Sequence, residues 1–106
     1  DGKQVMDFIY VKDVVSIMSF TVENIENIEN KTYDIGTSEG VSIINIVELI
    51  LKLTDSNSKI NFEYKRSGDK MRFVCANKEH FLTKSINFHT LEQGLLKTIE
   101  SIKKDK

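Results

Sequence analysis

Residues 42–54 read SIINIVELILKLT, and the fold turns on how that stretch is understood. Ser42 has the side chain of an N-cap, able to accept from the free N–H groups of a first helical turn, so a helix is expected over residues 43–54. Within it the polar positions are Asn45, Glu48 and Lys52, three and four apart, which makes one narrow stripe. The remaining positions to Leu53 are Ile, Val or Leu. A surface helix normally carries a wider polar face. This helix is expected to be covered on most of its circumference, so it needs a neighbour.

Towards the N-terminus, residues 36–40 (GTSEG) read as a turn and residues 32–36 (TYDIG) as a short strand. Residues 24–30 (NIENIEN) form an Asn-rich connection. Before it, Val14, Val15, Ile17, Met18 and Val22 recur at spacings that predict a helix over residues 12–23 with one buried face, and Asp13 suits its first turn. Residues 5–11 (VMDFIYV) read as a strand or extended segment.

Towards the C-terminus, residues 59–65 (KINFEYK) alternate apolar and polar as a strand does. Residues 67–69 form a turn, residues 71–76 an extended segment and residues 78–82 a short helix. Thr90 with Gln93 three residues later is a capping box, opening a helix whose apolar face is Leu91, Leu95, Ile99 and Ile102. The pattern βα-βα-β-α is α/β in character, and residues 1–106 show no internal domain boundary.

Composition agrees with a single folding unit. The chain has 106 residues, 40% apolar and 29% charged, enough to build a core. Fifteen Lys and Arg against sixteen Asp and Glu leave a net charge of -1, which argues against nucleic acid as a partner. No apolar run approaches the ~20 residues needed to span a bilayer, so no membrane partner is expected. The lone Cys75 calls for no oxidising compartment, and a cytoplasmic location is expected.

Catalytic signatures are sparse. Gly36 and Gly40 have the wrong spacing for a phosphate-binding glycine loop. Cys75, His80 and His89 show no metal-ligand spacing; Cys75 reads as a small buried hydrophobe and the two histidines as surface or helix-end residues. No catalytic residue and no metal ligand is assigned. One turn stands out, residues 65–72 (KRSGDKMR), because it holds both arginines of a chain with thirteen lysines. Arginine offers a planar fork suited to phosphate, Gly68 allows close backbone approach, and Asp69 can accept from a sugar hydroxyl. Read from spacing alone, the favoured reading is a solvated connection between strands, with Arg66 and Asp69 a weak surface pair.

Four motifs in order bear on that choice. Residues 1–15 (DGKQVMDFIYVKDVV), Tyr33-Asp34-Ile35-Gly36-Thr37 with Gly40-Val41-Ser42-Ile43, Arg66-Ser67-Gly68-Asp69, and Leu91-Glu92-Gln93-Gly94-Leu95 with Thr98-Ile99 resemble the signatures of the NAD-dependent nucleotide-sugar epimerase/dehydratase family. This is the extended short-chain dehydrogenase/reductase group, and the style is that of its UDP-glucose 4-epimerase-like members. The resemblance implies that the chain is the C-terminal, nucleotide-sugar-binding portion of such an enzyme, whose NAD would be bound by an N-terminal Rossmann domain absent from these residues. It implies that Arg66 meets the pyrophosphate and Asp69 the nucleotide ribose, and that Asp7 and Asp13 are structural. The apolar helix over residues 43–54 would then pack on the Rossmann domain or drive self-association. The departures are Met6 where the family has a second phosphate-binding arginine, Asp34 for Asn, Asn77 for Asp, and the lack of a Trp-x-Pro before the last helix. The competing expectation is a stand-alone, non-enzymatic interaction module derived from that family.

Overall fold

The computed structural model describes residues 1–28, 30–64, 66–68, 71–75, 81–84 and 86–105. Its centre is a small three-stranded sheet in the order β2-β1-β3, with β1 at Val5–Asp7, β2 at Gly40–Ser42 and β3 at Arg72–Phe73. β2 runs antiparallel to β1, with Val5 opposite Ser42, Met6 opposite Val41 and Asp7 opposite Gly40. β3 runs parallel, with Val5 opposite Arg72 and Met6 opposite Phe73. Four helices accompany it: α1 (Val11–Glu23), α2 (Ile43–Leu53), α3 (Phe81–Lys84) and α4 (Leu91–Lys104). The architecture is α/β, as the sequence pattern implies.

The helix ends follow local chemistry. Ser42 caps α2 by accepting from the Asn45 N–H at 3.3 Å, and two further free donors are taken by the N-terminal segment: Ile43 N–H to the Gln4 carbonyl and Ile44 N–H to the Gly2 carbonyl, both 2.9 Å. The start of α2 is thereby sewn to the N-terminal segment that leads into β1. At α4 the capping box is complete, Thr90 Oγ1 accepting from Gln93 N–H and Gln93 Oε1 from Thr90 N–H. α1 ends at Asn24, whose amide N–H group donates to the Phe20 carbonyl and competes with a further turn.

Several expectations need correction. The strand expected over residues 5–11 stops at Asp7, and Val11 already belongs to α1. Residues 32–36 and the described part of residues 59–65 form no strand, while β2 arises at the end of the stretch read as a turn. Phe62 and Tyr64 are exposed. The short helix anticipated over residues 78–82 is described from Phe81 onwards; Lys78, Glu79 and His80 lie outside the described residues, as does Asn77.

The buried face of α1 also differs from the reading. Asp13 and Ile17 are buried, whereas Val11, Val15, Met18, Val22 and Ile25 are exposed. The spacings of four, three and four place Val11, Val15, Met18 and Val22 on one apolar stripe, turned away from the face that holds Asp13 and Ile17, while Ile25 lies beyond α1 in the short 3-10 turn at Ile25–Asn27. α2 is half-covered, with Ile46 its one buried residue. The radius of gyration is 16.4 Å, against about 13 Å for a compact chain of this length. The accessible surface is 8500 Å², against about 6,000 Å² expected for the mass. The excess is carried in part by these apolar faces.

The caps give the first testable consequence. Thr90→Ala leaves the Gln93 N–H without its acceptor and is expected to destabilise the fold by about 1 kcal/mol, with Ser42→Ala similar. Urea midpoints unchanged in both variants would show that neither helix start contributes to the cooperative unit.

Candidate functional site

The side chain of Asp7 emerges where β1 ends and gathers three chain segments. Its Oδ1 accepts from the Thr37 N–H at 3.0 Å and from the Thr37 hydroxyl; its Oδ2 accepts from the Ser38 N–H at 2.9 Å and the Cys75 N–H at 3.2 Å. Gly36 is buried against this cluster, and a Cβ there would collide with the Cys75 side chain and with Asp7 Oδ2. Gly36 therefore serves close packing. Ser38 takes the left-handed conformation at φ 61, uncommon for serine, and its hydroxyl is buried without a partner among the described residues. Burial pushes the Asp7 carboxyl up, but the hydrogen bonds from Thr37, Cys75 and Ser38 outweigh it, and the group is held below the ordinary aspartate value.

A second carboxylate does similar work on the other side of α1. Asp13 is 3% exposed. Its Oδ2 accepts from the His89 backbone N–H at 2.9 Å and its Oδ1 lies 2.7 Å from His89 Nδ1. The other ring nitrogen, Nε2, lies 3.0 Å from Lys97 Nζ, and the Tyr10 ring meets the imidazole edge-on with centroids 4.9 Å apart. His89 is a helix-end residue as anticipated, but its link to Asp13 was invisible in the sequence because 76 positions separate them. An apolar cavity of about 250 Å³ opens beside it, lined by Phe8, Tyr10, Ile46, Leu91 and Leu95.

Arg66, the sequence-derived candidate for phosphate, is exposed and lines an open cleft of about 500 Å³ together with Gln4, Ile43, Glu63, Tyr64 and Met71. Gly68 has φ +90 with open space where a Cβ would stand. Asp69, the candidate ribose contact, lies outside the described residues. Met6 sits in the sheet between Val41 and Phe73 and does not line this cleft. Arg72, the second arginine, pairs with Val5 in β3 and does not line it either.

Among the described residues no three His, Cys, Asp or Glu side chains are grouped to hold a metal ion, and no helix is long and apolar enough to cross a membrane. A dinucleotide does not fit these residues. The β1–α1 link, Phe8-Ile9-Tyr10, contains no glycine to admit a pyrophosphate, and the space at Gly36 is filled by Cys75 and Asp7.

Comparison with known proteins shows what these elements are similar to. Residues 1–36, which contain β1, α1 and the Gly36 approach to Asp7, match the model of the NAD dependent epimerase/dehydratase family. The ADP-L-glycero-D-manno-heptose-6-epimerase of Fusobacterium nucleatum is 34% identical over 61 residues, 58% of this chain and 18% of that protein. The CDP-abequose synthase of Salmonella muenchen is 30% identical over 101 residues, 92% of this chain and 34% of that protein. The chain is thus similar to NAD-dependent epimerases and dehydratases, and it matches about a third or less of the length of these curated proteins. No solved structure gives a significant match.

The Asp7 cluster sets a pH dependence whose sign is fixed by the lowered value. A carboxyl depressed in the folded state contributes fully above its unfolded value of about 3.9, and the contribution is lost as pH falls through the folded value. Asp7→Asn is expected to lower stability at neutral pH and to flatten the dependence below about pH 4, read by circular dichroism along an acid titration. Gly36→Ala, which forces a Cβ into the same cluster, is expected to destabilise more than either cap variant. An acid limb unchanged in Asp7→Asn would show that the cluster does not couple to folding.

Proposed function

We propose that this chain is the nucleotide-sugar-binding, C-terminal portion of an NAD-dependent epimerase or dehydratase. In this reading Arg66 meets the diphosphate, Asp69 the ribose, and an N-terminal Rossmann portion holds NAD. The observation that carries it is the match along 92% of the chain to a relative named for its nucleotide-linked sugar, with Arg66 free to face an open cleft. Two features add support. The described residues offer no place for a dinucleotide, so hydride chemistry would lie elsewhere in the protein. The apolar stripe of α1 and the half-covered α2 offer surfaces on which such a portion would pack. The same faces would serve a protein partner if the chain acts as a non-enzymatic module, and that is the second reading.

The role of this chain would be recognition, with proton abstraction and hydride transfer performed by other residues. Arginine binds a diphosphate through two parallel charge-assisted hydrogen bonds. Arg66→Ala in the nucleotide-sugar-binding protein is expected to weaken a nucleoside diphosphate by about 1.5–3 kcal/mol, roughly tenfold to a hundredfold, and Arg66→Lys to restore only part of it. Calorimetric titration with UDP, CDP and ADP reads the effect and ranks the bases. Affinity unchanged in Arg66→Ala for all three would leave the turn as a solvated connection.

The 106-residue chain by itself is expected to show no NAD-dependent turnover of any nucleotide sugar. Turnover by the purified chain would overturn the division of labour proposed here.

A further inference from the structure

The Asp13, His89 and Lys97 side chains join two helices through one imidazole, and the geometry restricts where its proton sits. Asp13 Oδ1 is an acceptor 2.7 Å from Nδ1, so Nδ1 carries the hydrogen. Lys97 Nζ is a donor 3.0 Å from Nε2, so Nε2 presents its lone pair. Both contacts are satisfied together by the neutral ring in its Nδ1–H form. The Asp13 side chain is 4% exposed and the His89 side chain 28%, so the inner contact is shielded and the outer one can reach solvent.

We propose that Asp13, His89 and Lys97 form a proton-operated latch between the first turn of α1 and the middle of α4. Neutral His89 holds Lys97 through Nε2. A solvent proton taken at Nε2 turns that acceptor into a donor facing an ammonium, so the Lys97 contact becomes repulsive and Lys97 departs. The Asp13 contact survives, because an imidazolium still donates from Nδ1 to the carboxylate. The His89 backbone N–H also stays on Asp13, and the capping box of Thr90 and Gln93 is untouched. The latch therefore releases one side chain while α4 keeps its anchorage.

The surroundings favour that outcome. Lys12 from α1 and Lys104 from α4 line the same 500 Å³ cleft as His89 and Lys97, while Glu100 is the carboxylate there that can receive the released ammonium. Glu39 shares a smaller cleft with His89 on the opposite side, and Tyr10 covers the ring edge. The latch is independent of the diphosphate role proposed for Arg66, which belongs to a different cleft.

Nitrogen-15 NMR of the imidazole tests the latch on the unaltered protein. At the high-pH plateau the spectrum is expected to show a protonated Nδ1 and a pyridine-type Nε2, and on acidification the Lys97 side-chain signals are expected to move along the same curve as the His89 ring. Lys97→Met is expected to shift the neutral ring towards the Nε2–H form, a change that a merely packing role for Lys97 would not produce. A proton found on Nε2 at the high-pH plateau, or Lys97 signals that ignore the His89 titration, would overturn the proposal.

Discussion

The carboxylate of Asp7 is the constraint on which the rest of the described structure depends. Two strands of three residues and one of two have too few ladder bonds to hold a sheet together, and a lone hairpin is at best marginal in water. Asp7 supplies what the ladder lacks. It binds the N–H groups of Thr37 and Ser38, which brings Gly40 into register with β1, and the N–H of Cys75, which fixes the chain just after β3. Charge-assisted hydrogen bonds are about twice as strong as neutral ones. The register of both neighbours is accordingly set at a point beyond the strands themselves.

Asp13 repeats the device in the first turn of α1, where it holds the backbone and ring of His89. The two aspartates sit six residues apart on a strand–helix unit, and each anchors sequence from a distant part of the chain. Between them they fasten the Gly36 approach, the end of β3 and the start of α4 to that unit. This arrangement explains how a chain with few fully buried side chains keeps a defined topology. Its apolar core is small, with Ile17, Ile46 and Leu82 the buried apolar residues among those described.

What was legible in the sequence was local. Ser42 and Thr90 announce helix starts because a cap acts within three residues, and α4 was readable from its apolar spacing and capping box. Strands were poorly legible because extended sequence becomes a strand only where a partner lies alongside. Residues 32–36 and the described part of 59–65 have strand-like composition and form no strand, while glycine-bearing Gly40–Ser42 pairs because Asp7 draws it in. On α1 one buried face was expected over Val14, Val15, Ile17, Met18 and Val22, but Val15, Met18 and Val22 are exposed and the buried face holds Asp13 with Ile17, a face that a carboxylate hides from apolar periodicity. Of the candidate site, the pairing of Asp13 with His89 was out of reach of sequence, because 76 positions separate the two.

The placement of the Asp7 contacts also bears on the order in which the chain assembles. The entropic cost of closing a flexible loop rises slowly with length, by about 0.6 kcal/mol for each doubling. Thr37 lies 30 residues from Asp7 and Cys75 lies 68 away, so the nearer closure is the less costly one. Once it forms, the second search starts from Ser38 rather than from Asp7, and the remaining loop is of much the same size as the first. One side chain thus splits a long closure into two comparable short ones, giving a sheet with a parallel, sequence-distant strand a stepwise route to assembly.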